Sequence, residues 1–406
     1  MEPSLRREGR HVLERSSPGG VFHAVNASRQ ASREAPRLTS LAALLAVWLS
    51  GVVRADEESP RLAAYHDRVD QAVNRGLAFL AAQQVTSIQA DQAKQPYLTG
   101  SFRGWEAGNT GITSLGVLAF LSKGYMPGPG RYGQVISRGL DYILSQQHES
   151  GLLGSIQHPG NANGTMYSHS ISTLLLAEAS GMVDPERQKR IDIVLPKALA
   201  LLLAAQRVNK SPDHAGGWRY QPTSGDSDLS LTGWSIMALR AGKLNGVPIP
   251  KENIADAVKY ILHCRMQQDG GFAYQPNQGS SVGLTGCAVL CLELCGEHGN
   301  QALAPAGEYI LSHMPDRNDT SMKGYYAFYY CSQAAFQLGT RHWETWAPRM
   351  YDVLLGSQQP NGAWPGGEIG ETYNTAMSVL AMTVAYRQLP IYQRDDSYEE
   401  APKPGK

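Results

Sequence analysis

From residue 66 onward, apolar positions recur at helical spacing in two alternating styles. One style keeps a polar face, as in AVNRGLAFLAAQQ, RGLDYILSQQ and ADAVKYILHCRMQQ. Apolar residues at i, i+3, i+4 and i+7 in such segments predict helices with one side in water. The other style is nearly uncharged, as in NTGITSLGVLAFLSKG, TMYSHSISTLLLAEASG, DLSLTGWSIMALRAG, SVGLTGCAVLCLELCG and ETYNTAMSVLAMTVAYR. A helix that is apolar nearly all round is a buried one. Sustained period-2 alternation of β-branched residues is scarce, so the expected class is all-α.

A recurrent punctuation joins the two styles: Gln, a Gly-rich turn, then an aromatic. It reads AAQQ…GSFRGWEAG up to Trp105, LSQQHESGLLG with Gln147, and AAQRVNKSPDHAGGWRYQ with Gln206 and Trp218. It returns as MQQDGGFAYQ with Gln268 and Phe272, and as GSQQPNGAWPGG with Gln359 and Trp364. A further pair, APAGEYILSHM and KGYYAFYYCSQAAFQLG, lacks the turn. The spacing of about 45 to 60 residues is that of a repeat protein. Six helical hairpins follow, with polar-faced helices outside and apolar ones inside. Closing them into an (α/α)6 toroid buries every inner helix without capping repeats.

The first 55 residues follow a different rule. Leu38–Val53 is a 16-residue apolar run preceded by arginines and followed by Arg54-Ala55. Small residues at Val53 and Ala55 fit the positions a signal peptidase reads, so residues 1–55 are expected to be a secretory leader cleaved after Ala55. A spanning helix needs about 20 apolar residues, and the run falls short of that. An uncleaved leader would act as a membrane anchor, and peripheral membrane contact is the expected alternative to a purely small-molecule partner. The expected division is leader 1–55, linker 56–65, toroid 66–390 and flexible tail 391–406, with secretion or a periplasmic location for the product.

Composition narrows the function classes. The 36 basic and 36 acidic residues cancel, and hydrophobic residues make up 42%. That balance fits a globular chain with a large core and argues against a nucleic-acid partner. The five cysteines are odd in number, so at least one thiol has no partner within the chain. Cys287, Cys291 and Cys295 recur every four residues and fall on one helix face, as a buried stripe does. A metal or redox cluster with His263 and Cys264 is the alternative, and no CxxC spacing supports it.

The turn signature Gln-x-x-x-Gly-x-aromatic and the paired-helix repeat resemble the terpene cyclase and protein prenyltransferase superfamily, whose members fold as α/α toroids around a central cavity. The resemblance covers residues 66 to 390. Its best local match is GGWRYQPTSGDSDLSLTGWSIMAL, residues 216–239, which looks like the Asp-x-Asp-Asp region of squalene-hopene cyclases. Here the motif reads Asp226-Ser227-Asp228-Leu229, so its third acidic position is lost. By resemblance, Asp228 is the acid that starts carbocation cyclisation and Asp226 its neighbour. As a residue before an apolar helix, Asp228 is equally a helix cap, and Asp226 a turn residue.

His169, at the start of another inner helix, is a candidate to orient such an acid, or else a hydrogen-bonded structural residue. The zinc triad of the prenyltransferases has no counterpart, and neither a metal nor a cofactor is expected. Aromatic faces that stabilise a cation or bind an apolar or sugar ligand are expected from Trp105, Trp218, Tyr325, Tyr326, Tyr329 and Tyr373. Of these, Trp105 and Trp218 also sit at the repeat's own packing position.

Three functions fit these residues. The first is a terpenoid-cyclase-like protein that acts on or binds an isoprenoid in the cavity. The second is a non-catalytic toroid that binds a lipid, glycan or protein. The third is a glycan-active toroid using Asp226 or Asp228 with Glu368 or Glu371.

Overall fold

The structure, a computed structural model, describes residues 60–86, 99–104, 109–154, 165–315, 322–367 and 369–392. The leader, Trp105, Glu368 and the residues after 392 lie outside the described residues. Among the described residues, no helix is long and apolar enough to cross a membrane.

In chain order, after a single helical turn at Pro60–Ala63, the helices are α1 (His66–Gln83), α2 (Thr110–Ser122), α3 (Gly133–Ser145), α4 (Thr165–Ala179), α5 (Pro185–Gln206) and α6 (Leu229–Leu244). They continue as α7 (Lys251–His263), α8 (Val282–Leu294), α9 (Leu303–Ser312), α10 (Met322–Gln337), α11 (Thr340–Ser357) and α12 (Glu371–Met382). The odd-numbered helices are the polar-faced segments and the even-numbered ones the apolar segments. Every residue of α2 is buried, whereas α1 buries only a stripe through Val69, Val73, Leu77 and Leu80. In the described residues, strand pairing is confined to Phe272–Ala273 against Ser280–Ser281.

Burial of a whole helix surface requires neighbours on every side, and the even helices supply them to one another. Each packs on the next, α2 on α4 and so on to α10 on α12, and α12 packs back on α2. The odd helices surround this ring, and α11 also packs on α1. The fold is a closed α/α toroid.

The turn glutamines join one outer helix to the next. Gln84 Nε2 donates to the Gly100 carbonyl and to Val135 of α3 (3.1 and 2.8 Å). Gln147 does the same with Gly151 and Val194 of α5, and Gln206 with Gly216 and Asn253 of α7. Gln358 bonds Gly362 (2.9 Å) and, closing the circle, Ala72 of α1 (2.8 Å). The glycine in the turn lets the two backbones touch. Gly216 has φ +89°, and a Cβ there would lie 2.2 Å from the Asp256 carbonyl oxygen; Gly362 has φ +91° and would meet that of Arg75 at 2.4 Å. A side chain at either site is excluded both by conformation and by space.

Two corrections to the sequence register follow. The closing glutamine is Gln358, not Gln359. In the α7 turn, Arg265 rather than Gln268 pairs with the aromatic strand residue Phe272, so that turn lacks the amide fork.

The two ends of the ring differ. Where the inner helices begin, their first residues link around the rim. Ser168 hydrogen-bonds Asn109, Tyr167 donates to Ser230, Tyr325 donates to the Pro365 carbonyl, and Thr372 donates to that of Arg103. Where they finish, residues 384–392 lie across the inner layer, with 384–386 on α10 and α12 and 390–392 on α6. Ile391 and Tyr392 are therefore buried, although the sequence division puts them in a flexible tail. Leu62, in the expected linker, is buried as well and belongs to the core.

Replacing Gln358 by Leu leaves the Ala72 and Gly362 carbonyls without their donor at the point of ring closure. The expected loss is about 2–4 kcal/mol in chemical denaturation. Gln278→Leu, at an exposed position, should stay within about 0.5 kcal/mol of wild type.

Candidate functional site

The repeat provides a reference for judging each candidate. In each turn, the N–H of the aromatic or apolar residue donates to a side chain one turn into the following inner helix. The pairs are Phe102 with Thr113, Trp218 with Thr232, Phe272 with Thr285, and Trp364 with Thr375. In the remaining turn, Leu153 N–H donates to His169 Nδ1 at 3.0 Å. His169 thus stands where the other repeats have Thr, and its Nε2 donates to Ala198 of α5 at 3.1 Å. Burial lowers its pKa to about 4, so the ring is neutral. Both nitrogens are engaged between the inner and outer layers. The expectation that His169 orients an acid is corrected: it secures a turn. The fifth residue of NTGIT, TMYSH, DLSLT, SVGLT and ETYNT already shows the equivalence.

Trp218 is likewise a turn residue. It is buried, and its Nε1 donates to Leu202 of α5 at 2.8 Å, as Trp364 does to Leu354 of α11. Its indole is committed to the outer layer and is not available to line an interior pocket. The first repeat's turn aromatic is Phe102, while Trp105 lies outside the described residues.

Asp228 begins as a repeat feature and then departs from it. Its Oδ1 accepts the Leu231 N–H at 2.8 Å, the same cap that Asn109 gives Ile112 on α2. Unlike Asn109, its second oxygen meets a cation, Arg219 Nη1, at 3.3 Å. Arg219 Nε is 3.3 Å from Asp226, so one guanidinium joins both acidic residues of the motif. Its Cζ lies 4.3 Å from the centre of the Tyr220 ring and 5.3 Å from that of Tyr274. The two tyrosine hydroxyls share a 2.5 Å hydrogen bond, and that of Tyr274 also accepts from Arg219 Nη1 at 3.2 Å. Asp226 is half-exposed and also accepts from Gln275.

Burial raises the Asp228 pKa to about 6, against the lowering effects of the Leu231 N–H, Arg219 and Tyr274. At neutral pH this carboxyl is therefore mostly an ion-paired anion, and in mild acid it carries a proton. Arg219, Tyr220 and Tyr274 were absent from the sequence candidates. The signal for them was the Tyr-Gln pair that follows the turn aromatic in two successive turns, WRYQ and FAYQ, with Arg219 particular to the first.

The tyrosines of α10 divide. Tyr325 is held by the Pro365 carbonyl at the rim. Tyr326 is half-buried and packs on Tyr330 at 4.6 Å. Tyr329 is buried and stacks on Trp234 at 5.2 Å with planes 17° apart, and Tyr330 meets the same indole edge-on. Trp234 belongs to α6 and Tyr329 to α10, with α8 between them in the ring, so this stack crosses the interior. Trp234 is five residues into α6, which places an aromatic floor about 7 Å below the helix starts. Tyr373 is buried at the start of α12. Asp228, Tyr326 and the floor thus share one end of the toroid, with Tyr167 and Ser230 between them.

Glu371 begins α12, three places around the ring from α6. With neighbouring axes about 8–10 Å apart, helices so placed are about 16–20 Å apart. Carboxylates that cooperate in glycoside hydrolysis lie within about 10 Å, and this pair begins well beyond it. The cysteines are all free and buried. His263 is half-exposed and pairs with Asp213 instead of joining them, and among the described residues no group of acidic, His and Cys side chains could hold a metal ion.

Asp228→Ala removes cap and charge together and should cost about 1–2 kcal/mol, whereas Asp228→Asn keeps the cap and should cost less. Because the folded pKa lies above the ordinary carboxyl value, Asp228 contributes most at low pH, and its contribution declines as pH rises from about 4 to about 6. The stability of Asp228→Asn relative to wild type should increase across that interval in denaturation curves taken at each pH.

Residues 134–325 match the prenyltransferase alpha-alpha toroid domain. No curated protein matches the sequence significantly. Among solved structures, the type II terpene cyclase MstE from Scytonema superposes with a TM-score of 0.52 at 14% identity, over 80% of this chain and 99% of that one. A substituted form of MstE has been solved with its substrate, geranylgeranyl dihydroxybenzoate. Protein geranylgeranyltransferase-I from Candida albicans, complexed with GGPP, gives 0.50 at 12% identity over 80% and 96%. A glycoside hydrolase family 76 mannosidase from Bacteroides thetaiotaomicron gives 0.52 at 12% over 79% and 97%. At such identities the likeness is one of fold.

Proposed function

On the premise of a prenyltransferase alpha-alpha toroid domain, we propose that this protein binds the apolar chain of an isoprenoid lipid at the end of the ring where the inner helices begin. The observation that supports this reading is the departure from the repeat at that end. A buried carboxyl, a tyrosine-clasped arginine and the half-buried Tyr326 stand above a floor of Trp234 and Tyr329. Ring faces and a shielded carboxylate favour an electron-rich hydrocarbon or a cation derived from it. The toroids solved with geranylgeranyl compounds agree with this ligand class.

Turnover is a second reading, favoured by the burial of Asp228. As the acid, Asp228 would give its proton to an alkene carbon, leaving a carbocation under the tyrosine faces and a carboxylate paired with Arg219. The raised pKa makes the protonated form accessible only toward pH 6 and below. Export belongs to the same proposal. The Leu38–Val53 run supports it, and the N-terminus of protein recovered from its native host would start at Asp56.

Lipid extracts of natively purified protein, analysed by mass spectrometry, should contain an isoprenoid that is depleted in Trp234→Ala. An extract without isoprenoid, together with no binding of geranylgeraniol or squalene, rejects the reading. If Asp228 is the acid, product from these probes should increase as pH falls from 7.5 to 5.5 and be absent from Asp228→Asn.

A further inference from the structure

At the end of the toroid opposite Asp228, an acidic side chain is sealed inside the inner layer. Glu178 lies near the end of α4 and is 1% exposed. Its Oε2 accepts the Ile391 N–H at 3.1 Å, and its Oε1 is buried with no hydrogen-bond partner. Ile391 belongs to the 384–392 segment that crosses this end. The same segment places the Tyr392 hydroxyl, also without a partner, beside Glu178 and Tyr329. Gln337 of α10 holds the segment by donating to the Tyr392 carbonyl at 3.2 Å. On the outer side, Arg387 and Gln388 are exposed, and Arg387 has a left-handed backbone (φ 52°).

An unpaired buried polar atom is costly, because it has given up its water without gaining a partner. Two of them meet where the segment covers Glu178, and both would find water if it lifted. The segment is short and has a left-handed residue at its exposed bend; its far end is tied to the ring through the Glu178 carboxyl and the Gln337 amide, and its near end by Lys123 over the Tyr386 ring and Arg387 over that of Phe336. These are the features of a closure that packing favours and polar desolvation opposes.

We propose that residues 384–392 are a latch over this end of the toroid, and that ionisation of Glu178 loosens it. The charged and titratable groups acting on Glu178 are Arg240 of α6, Tyr329 of α10 and Tyr392 of the latch. Arg240 favours the carboxylate, but it is itself buried and donates from Nε to the Leu294 carbonyl. Desolvation outweighs Arg240 and the Ile391 N–H and raises the Glu178 pKa to about 8 in the closed state. Opening returns the carboxyl to water and to its ordinary value near 4.5. The sign follows from the direction of the shift: the latch is tightest below about pH 4.5, loosens as pH rises, and changes no further above about 8. Lifting it would expose the Tyr329 side of the interior aromatic stack, so the ring would open at the end away from Asp228.

Amide hydrogen exchange of the full chain, corrected for the intrinsic pH dependence of exchange, tests this between pH 5.5 and 7.5. In wild type, protection of 384–392 should fall by about tenfold per pH unit while that of α2 stays level. In Glu178→Gln, whose side-chain oxygen still accepts the Ile391 N–H, protection of the segment should be high and independent of pH. Ile391→Pro deletes the donor from the other side, and its segment should exchange rapidly at every pH with α2 intact. Flat protection in wild type, the same fall in Glu178→Gln, strong pH-dependent protection in Ile391→Pro, or a loss shared by α2 would each overturn the latch. None of these readouts depends on the ligand proposed for the opposite rim.

Discussion

One hydrogen-bonding device holds the layers of this toroid in register: a turn glutamine whose amide donates twice. One bond goes to the carbonyl of the glycine in its own turn and the other to a carbonyl of the next outer helix. The amide oxygen is used as well, since Gln206 accepts from Asn253 and Gln84 from Arg138. Glycine is needed because the turn backbone lies directly against that neighbouring helix. Each fork fixes both the distance and the axial position of two outer helices. The one at Gln358 ties the last of them to the first, and only then are the inner helices enclosed on every side.

A repeat so regular also distinguishes structural residues from the rest. His169 and Trp218 look chemical in isolation, yet each performs a task that an equivalent residue performs elsewhere in the ring. Asp228 shares its cap with Asn109 but adds an ion pair to a tyrosine-flanked arginine and burial that Asn109 lacks. Function is therefore sought in what the repeat does not explain: the Arg219 clasp, the tyrosines around it, and the aromatic stack between α6 and α10. The same reasoning draws attention to Glu178, a buried carboxyl with one oxygen left without a hydrogen-bond partner.

The two ends of the ring are electrostatically unlike. At the starting end, an acid is buried but shares its charge with an arginine and a backbone N–H, and its pKa remains near 6. At the finishing end, the packing of a terminal segment isolates an acid so thoroughly that the neutral form prevails through neutral pH. Similar chemistry is thus set to two pH ranges by how much compensation each carboxyl receives.

Alternation of polar-faced and apolar helices, and the Gln-Gly-aromatic turns between them, followed from the amino-acid order alone, because helical periodicity and turn chemistry are local properties. Inner and outer layers followed too, since a helix with no polar face must be enclosed. The tertiary structure decided which candidates meet. His169 turned toward the outer layer, while Trp234 crossed to Tyr329, because side-chain direction depends on the rotation of each helix in the ring and on partners 29 and 95 residues away. It also brought Arg219 against Asp228 and buried Ile391 and Tyr392 over Glu178. Desolvation is the sum of everything packed around a group, and no single stretch of sequence contains that sum.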